Sequence, residues 1–291
     1  MSKMLVVGYD GSEASDLAVR WAAESASARG LTLEVVVAWS VPPSEVGIGA
    51  GAAYETQLLD ALRDEATQIL EKGMGVAVKV APGVKVSGHV AAGPPAGVLI
   101  DAAEDAELLV VGSHGRSGLT GLILGSVSRQ VSGHAKCPTV VVRPPEDPDA
   151  REVVVGVDGS EPSLRALRFA FEEASRRACS IRVLHTWEVP PIGAITGVPT
   201  FATPDILDKL ATAELRMTAE VMAGYTQDFP EVPVEQEVLQ GSPVRALRDA
   251  TKHAAMVVVG SRGRGGFTGL LLGSVSHAVT QQAKCTVAVV R

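Results

Sequence analysis

Two segments of this chain combine residue types and a spacing that suit phosphate. GSHGRSGLTGLILGSVS begins at Gly112 and GSRGRGGFTGLLLGSVS begins at Gly260. In each, a glycine ends an apolar run, a second follows after two residues (Gly115, Gly263), and a Gly-Ser pair opens an amphipathic stretch (Gly125-Ser126, Gly273-Ser274). Glycines at a strand exit permit positive φ and let backbone N–H groups approach a ligand with no Cβ in the way. A Gly-Ser at a helix start offers unpaired N–H groups and the positive end of the helix dipole, which favour an anion. No Lys follows the glycines, so this is not a Walker A loop, and GRGGFTG lacks the GxGxxG dinucleotide spacing. Phosphate contacts are therefore expected mainly from backbone, with the Ser126 or Ser274 hydroxyl added. The bland reading of those two serines is an ordinary helix N-cap.

A second pair of polar turns, Asp10-Gly11-Ser12 and Asp158-Gly159-Ser160, follows the first apolar run of each half. Either Asp can simply cap the turn entering a helix. With a glycine loop opposite, a ligand contact becomes the sharper reading. Arg116 and Arg264, inside the loops, are candidates for a terminal phosphate, against a plain solvated role. His114, where the second copy has Arg262, can orient water, but no carboxylate is placed to orient it, and a solvated loop histidine is the commoner case. No catalytic residue and no metal ligand is assigned.

The elements that must position these residues repeat as well. Because 260 − 112 = 148, the same shift carries Asp10 to Asp158, Trp39 to Trp187, Asp101 to Asp249, Cys137 to Cys285 and Arg143 to Arg291. A period this long implies a complete domain per copy rather than a solenoid unit. We expect domains over 1–145 and 152–291, joined by a Pro-rich, charged linker over 146–151. In the first copy, strands are predicted at MLVVGY, LTLEVVVAW, Val84–Val90, ELLVVG and PTVVVR. Helices are predicted at 13–29, from about Glu55 to about Ala81, at PPAGVLIDAAED and at SVSRQVSGHA. VAVKV at 76–80 alternates like a strand. Its counterpart MAGYT lies in a helical pattern running from Pro204 to Asp228, so a helix is predicted there despite Gly73 and Gly75, each costing about 1 kcal/mol. Alternating strands and helices require a parallel sheet covered on both faces, a doubly wound α/β unit in each copy. In such sheets the ligand crevice lies beyond the carboxyl ends of strands where the winding reverses. If the fourth strand neighbours the first, the four polar motifs become two sites.

Composition narrows the function classes. The 291 residues suit about two domains, since single cores stop growing near ~250–300 residues. The charge of −7, from 33 acidic and 26 basic residues without a basic run, argues against nucleic acid. No apolar run reaches the ~20 residues of a membrane helix, and the first residues read as a strand and turn rather than a signal peptide, so a cytoplasmic protein is expected. The three cysteines lack metal or CxxC spacing and are expected as reduced, buried thiols.

The Gly-x2-Gly-x9-Gly-Ser pattern, the early Asp and the strand–helix alternation together resemble the universal stress protein family, in its ATP-binding branch and in a tandem form, over nearly the whole chain. The resemblance implies a five-stranded parallel sheet of order 3-2-1-4-5 in each half. It implies adenine contacts from Asp10 and Asp158 and from backbone at Ala38 and Thr186. Ribose and phosphate contacts are implied from Gly112, Gly115, Gly125, Ser126 and Val127, and from Gly260, Gly263, Gly273, Ser274 and Val275. It implies ATP, with Mg²⁺ held through the phosphates, as the ligand of each half. It also implies pairing of the fifth strands, ending at Arg143 and Arg291, as an intrachain pseudo-dimer; a further homodimer and an unidentified protein partner remain open. Two departures stand out: the family's frequent His before Ala38 is Val37 in the first copy but His185 in the second, and Cys137-Pro138 becomes Cys285-Thr286. With no nucleophile, base and orienter in sight, ATP hydrolysis is expected to be slow or absent, and the chain to act as a stress-response regulator. The rivals are a nucleotide-dependent phosphoryl or nucleotidyl transferase using His114, and a scaffold whose sites are vestigial or prefer AMP or cyclic AMP. Trp39 and Trp187 are expected to pack at the crevice edge, and the Pro/Gly-rich stretches 41–53 and 189–200 to be lids or plain loops.

Overall fold

The computed structural model describes residues 4–41, 52–116, 124–189, 203–265 and 271–291. The chain divides into two compact units, the first ending at Pro144 and the second beginning at Pro145 in all but a few residues. The two stretches expected as lids fall largely outside the described residues, as do the middles of both glycine loops.

The first unit runs β1 (Met4–Gly8), α1 (Glu13–Arg29), β2 (Thr32–Trp39), α2 (Ala52–Val80), β3 (Val86–Ala92), α3 (Pro95–Ala102), β4 (Leu108–Gly112), α4 (Ser126–His134) and β5 (Thr139–Val142). Its strands are parallel in the order β3-β2-β1-β4-β5. The central strands are apolar along their length because helices cover both faces: every residue of β4, LLVVG, is buried. At the edge, β3 carries Gly88 and His89 and is largely exposed. Below the carboxyl ends of the strands, Val6, Leu109 and Val141 pack with Leu99 of α3 and Val131 of α4.

The second unit repeats this path as β6 (Glu152–Val157), α5 (Glu161–Arg177), β7 (Ser180–Trp187), α6 (Pro204–Asp228), β8 (Val234–Gln240), α7 (Pro243–Ala250), β9 (Met256–Gly260), α8 (Ser274–Gln282) and β10 (Thr286–Val290). Its parallel order is β8-β7-β6-β9-β10. The corresponding core joins Val154, Val257 and Val287 to Leu247 and Val279. In both units the fourth strand of the copy lies beside the first, the arrangement on which the crevice argument depends. Between β5 and β6 the chain makes a turn in which Asp147 accepts from the N–H groups of Asp149 and Ala150.

Residues 76–80 are helical, as their counterpart in α6 suggested. Gly73 is required inside α2 because a Cβ there would come within 2.7 Å of the Tyr9 ring. The third strand begins two residues later than predicted, since Val84 N–H closes a turn onto Ala81 O and pairing with β2 starts at Val86 opposite Leu33. All three cysteines are buried thiols outside any disulfide.

The starts of α1 and α5 are built alike: Ser12 and Ser160 are the N-caps, accepting from Ser15 N–H and Ser163 N–H. Their ends differ. Gly30 closes α1 in the left-handed region at φ 66°, whereas Ala178 occupies the matching place at φ 50°.

Candidate functional site

Each unit has a crevice beyond the carboxyl ends of its strands, at the reversal between the first strand and the fourth. In the first unit Asp10, Ala38, Gly112, Gly115, Arg116, Gly125, Ser126 and Val127 all line a cavity of about 320 Å³. In the second, Asp158, Thr186, Gly260, Gly263, Arg264, Gly273, Ser274 and Val275 line one of about 580 Å³. The sequence motifs that stand about a hundred residues apart are thus brought together twice.

The Asp of each first-strand turn does more than start a helix. Asp10 Oδ1 accepts from Ser12 N–H at 3.1 Å and from Ser12 Oγ–H at 2.6 Å, while Oδ2 accepts from the backbone N–H of Arg116 at 3.0 Å. Asp158 repeats the set with Ser160 N–H at 3.0 Å, Ser160 Oγ–H at 2.6 Å and Arg264 N–H at 2.9 Å. Burial pushes both carboxyls up, but these donors outweigh it and hold both below the ordinary carboxylate value. The intervening Gly11 and Gly159 sit at φ 83° and 78°, a conformation that favours glycine.

The loop glycines work differently from expectation. None of Gly112, Gly115, Gly125, Gly260, Gly263 and Gly273 has positive φ. Their requirement is closeness. A Cβ on Gly112 would lie 2.7 Å from Ala14 O, and one on Gly260 would lie 2.8 Å from the carbonyl carbon of Pro162, so the strand end passes directly under the first turn of α1 or α5. A Cβ on Gly115 would lie 2.5 Å from Asp10 Oδ2, and one on Gly263 would overlap Asp158 Oδ2.

Ser126 and Ser274 are not N-caps. Gly125 and Gly273 hold that position in extended conformation with no side-chain cap, so the serines are the first helical residues. Gly125 N–H is itself used, donating to Ser113 O at 2.7 Å, as Gly273 N–H does to Ser261 O at 2.8 Å. The first intrahelical bond runs from Arg129 N–H to Gly125 O, and in the second unit from His277 N–H to Gly273 O. The first turns of α4 and α8, whose N–H groups precede the first intrahelical bond, line the crevice at Ser126, Val127, Ser274 and Val275 and offer a cradle for an anion.

Sequence reasoning missed several lining residues. Ser128 and Ser276 donate from Oγ to Gly112 O at 2.6 Å and to Gly260 O at 2.5 Å, fastening α4 and α8 to the ends of β4 and β9. Leu99 and Leu247, with Pro95 and Pro243, form an apolar wall. All three pairs obey the 148-residue shift, the signal that would have found them. Trp39 and Trp187 do not line the crevices. His114 Nδ1 pairs with Ser113 Oγ at 2.9 Å. The Arg116 guanidinium meets Glu65 at 3.1 Å, whereas that of Arg264 lies over Gly159. Among the described residues no three His, Cys, Asp or Glu side chains cluster to hold a metal, and no helix is long and apolar enough to cross a membrane.

Comparison with known proteins agrees with this architecture. A universal stress protein of Mycolicibacterium smegmatis is 37% identical over 99% of this chain and 96% of its own length. One from Mycobacterium tuberculosis is 36% identical over the same shares. The crystal structure of a universal stress protein from Archaeoglobus fulgidus superposes with a TM-score of 0.68 at 20% identity, covering 100% of this chain and 99% of that one, a likeness of fold. The pattern of the universal stress protein family matches residues 1–143 and again residues 150–291, and the chain belongs to that family.

Proposed function

We propose that each half binds one adenine nucleotide, ATP with Mg²⁺ carried on its phosphates, and that the chain is a cytoplasmic, nucleotide-dependent regulator of a stress response with slow or no hydrolysis. The observation that carries this reading is the convergence, in both units, of an apolar wall, a polar turn and the first turn of a helix on one crevice. The apolar wall of Leu99 or Leu247 suits a flat base, and the helix starts at Ser126-Val127 and Ser274-Val275 suit phosphate. With no carboxylate cluster among the described residues, Mg²⁺ would be held by phosphate oxygens and water, supplying charge neutralisation there. Within this reading Asp10 and Asp158, Ala38 and Thr186 lie nearest the base, and Gly112, Gly115, Arg116, Gly125, Ser126 and Val127, with their counterparts Gly260, Gly263, Arg264, Gly273, Ser274 and Val275, nearest the ribose and phosphates.

The test is the nucleotide content of protein purified without added nucleotide, read by native mass spectrometry, beside the Gly125→Ala, Gly273→Ala double variant. A Cβ at these positions would lie 3.2 Å from His114 Cα and 3.3 Å from Arg262 Cα, tight enough to shift each helix start. Two adenine nucleotides per chain, lost in the variant, are expected. A protein that arrives empty and takes up no added ATP would overturn the reading in favour of a protein-interaction scaffold, and preference for AMP or cyclic AMP would replace ATP as the ligand. Turnover above about 1 s⁻¹ would make the chain an enzyme.

A further inference from the structure

We propose that Asp10 and Asp158 are positioning residues, each latching the start of its glycine loop to the first-strand turn before any ligand arrives, rather than readers of the base. This rests on the reading of the crevices as nucleotide sites.

The helix start does not need the second carboxylate oxygen, because Ser12 and Ser160 already serve as N-caps. That oxygen is instead spent on Arg116 N–H or Arg264 N–H, each 106 residues further along the chain. Every partner of the carboxylate is a donor, so the position calls for a group that accepts at both oxygens. An Asn of the same shape would turn an NH₂ toward a donor and break one side of the latch. Three of the roughly four acceptor sites of each carboxylate are filled from within the protein, leaving little for a ligand.

Gly115 and Gly263 complete the device. A Cβ on either residue would occupy the place of the Asp Oδ2, so each glycine admits the carboxylate to the loop backbone. The far flank is pinned separately by Gly125 N–H on Ser113 O and Gly273 N–H on Ser261 O. The same bonds recur in both units although their neighbours differ: Tyr9 precedes one Asp and Val157 the other, and His114 stands where Arg262 does.

The experiment is amide hydrogen exchange on the nucleotide-free full chain, with MgATP and MgGTP affinities, for wild type, Asp10→Asn, Gly115→Ala and their double variant. The unchanged second half serves as internal reference. A hydrogen bond to a charged acceptor of ordinary strength predicts that exchange at Arg116 accelerates at least about 10-fold in each variant. ATP affinity at the first site is expected to fall by a similar factor with the ATP-to-GTP ratio unchanged, and the double variant to lose no more than either single. Unaltered exchange together with a collapsed ATP-to-GTP ratio would overturn the proposal and make Asp10 a base reader. Should Asp10→Asn unfold the first half, Gly115→Ala decides alone: a response confined to the loop supports the latch, and none refutes it. A loop that responds in a protein taking up no nucleotide would sink the nucleotide reading while leaving the latch intact.

Discussion

In the first unit β2 and α2 pack together, and Val37 and Ala66, which they contribute, are both buried. In the second unit the residues 148 positions on are His185 and Glu214. The buried imidazole lies between Val157 O, 2.8 Å from Nδ1, and a Glu214 oxygen, 2.9 Å from Nε2. The Val157 carbonyl can only accept, so Nδ1–H donates to it, and the ring and Glu214 share the hydrogen bond at Nε2. The crevices show the opposite behaviour: the latch distances agree within about 0.1 Å between units, and the serines that fasten α4 and α8 agree likewise. Packing between a sheet and a helix can be met by an apolar pair or by a satisfied polar pair, provided both members change together. A network in which each donor has one acceptor in one direction has no such substitute.

The comparison breaks most severely where a glycine meets backbone in both units. Gly112→Ala and Gly260→Ala each drive a Cβ into the first turn of a helix, and we expect each to lower the stability of its own unit by about 2–3 kcal/mol in urea unfolding. Equal losses would show that the two strand ends are constrained alike, and a loss in one unit only would refute that.

The diverged wall is tested by a double-mutant cycle. Glu214→Ala strands the buried His185 ring and His185→Val leaves the half-buried Glu214 carboxylate without its ring partner, and the two are expected to cost about 1–3 kcal/mol each. Together they recreate the residues of the first unit, so the pair should cost clearly less than the sum. Additive losses would mean that the two side chains are independent.

A smaller effect of opposite sign is expected at the end of α5. Ala178 holds a left-handed conformation that Gly30 provides in the first unit, and Ala178→Gly should stabilise the second unit by about 0.5–1 kcal/mol, read as a rise in Tm. Unchanged or lower stability would mean that the Ala side chain contributes packing that offsets the strain.

The smallest effect at neutral pH, where it vanishes, concerns the latches. Both carboxyls are held below the ordinary value in the folded protein, so their contribution is complete above that value, near 3.8, and is lost as pH falls through the lower folded value. Loop exchange, corrected for the intrinsic pH dependence of amide chemistry, should be flat from about pH 5 to 8 and rise below about pH 4 in both units together, since the donors are matched. A rise confined to one unit would show that the matched geometry hides unequal energetics.

The repeat made much of this legible. A 148-residue shift paired each residue with a second environment, which is how residues 76–80 were recognised as helix against their own alternating pattern. Apolar runs bounded by glycine and charge marked the strands of the sheet interior, because two covered faces leave no polar alternation. The site residues were legible as types: glycines, an Asp turn and a Gly-Ser before a helix.

The reason those types are required was not legible, because it depends on what approaches them from elsewhere in the chain. Positive φ is the usual local explanation of a glycine, and it holds for Gly11 and Gly159 within their own turns. Gly112 and Gly115 answer to Ala14 and Asp10, contacts that exist only once the fourth strand lies beside the first. The same holds for the cap: sequence marked Ser126 as the polar residue at a helix start, but the Gly125 N–H bond to Ser113 O set the first helical turn one residue earlier. The sequence by itself determined the alternation of elements, the duplication and the residues available at each turn, since these follow from local pattern and period. Only the tertiary structure decided which oxygen of Asp10 meets which backbone N–H, because hydrogen-bond direction and excluded volume act between segments that the chain brings together from a hundred residues apart.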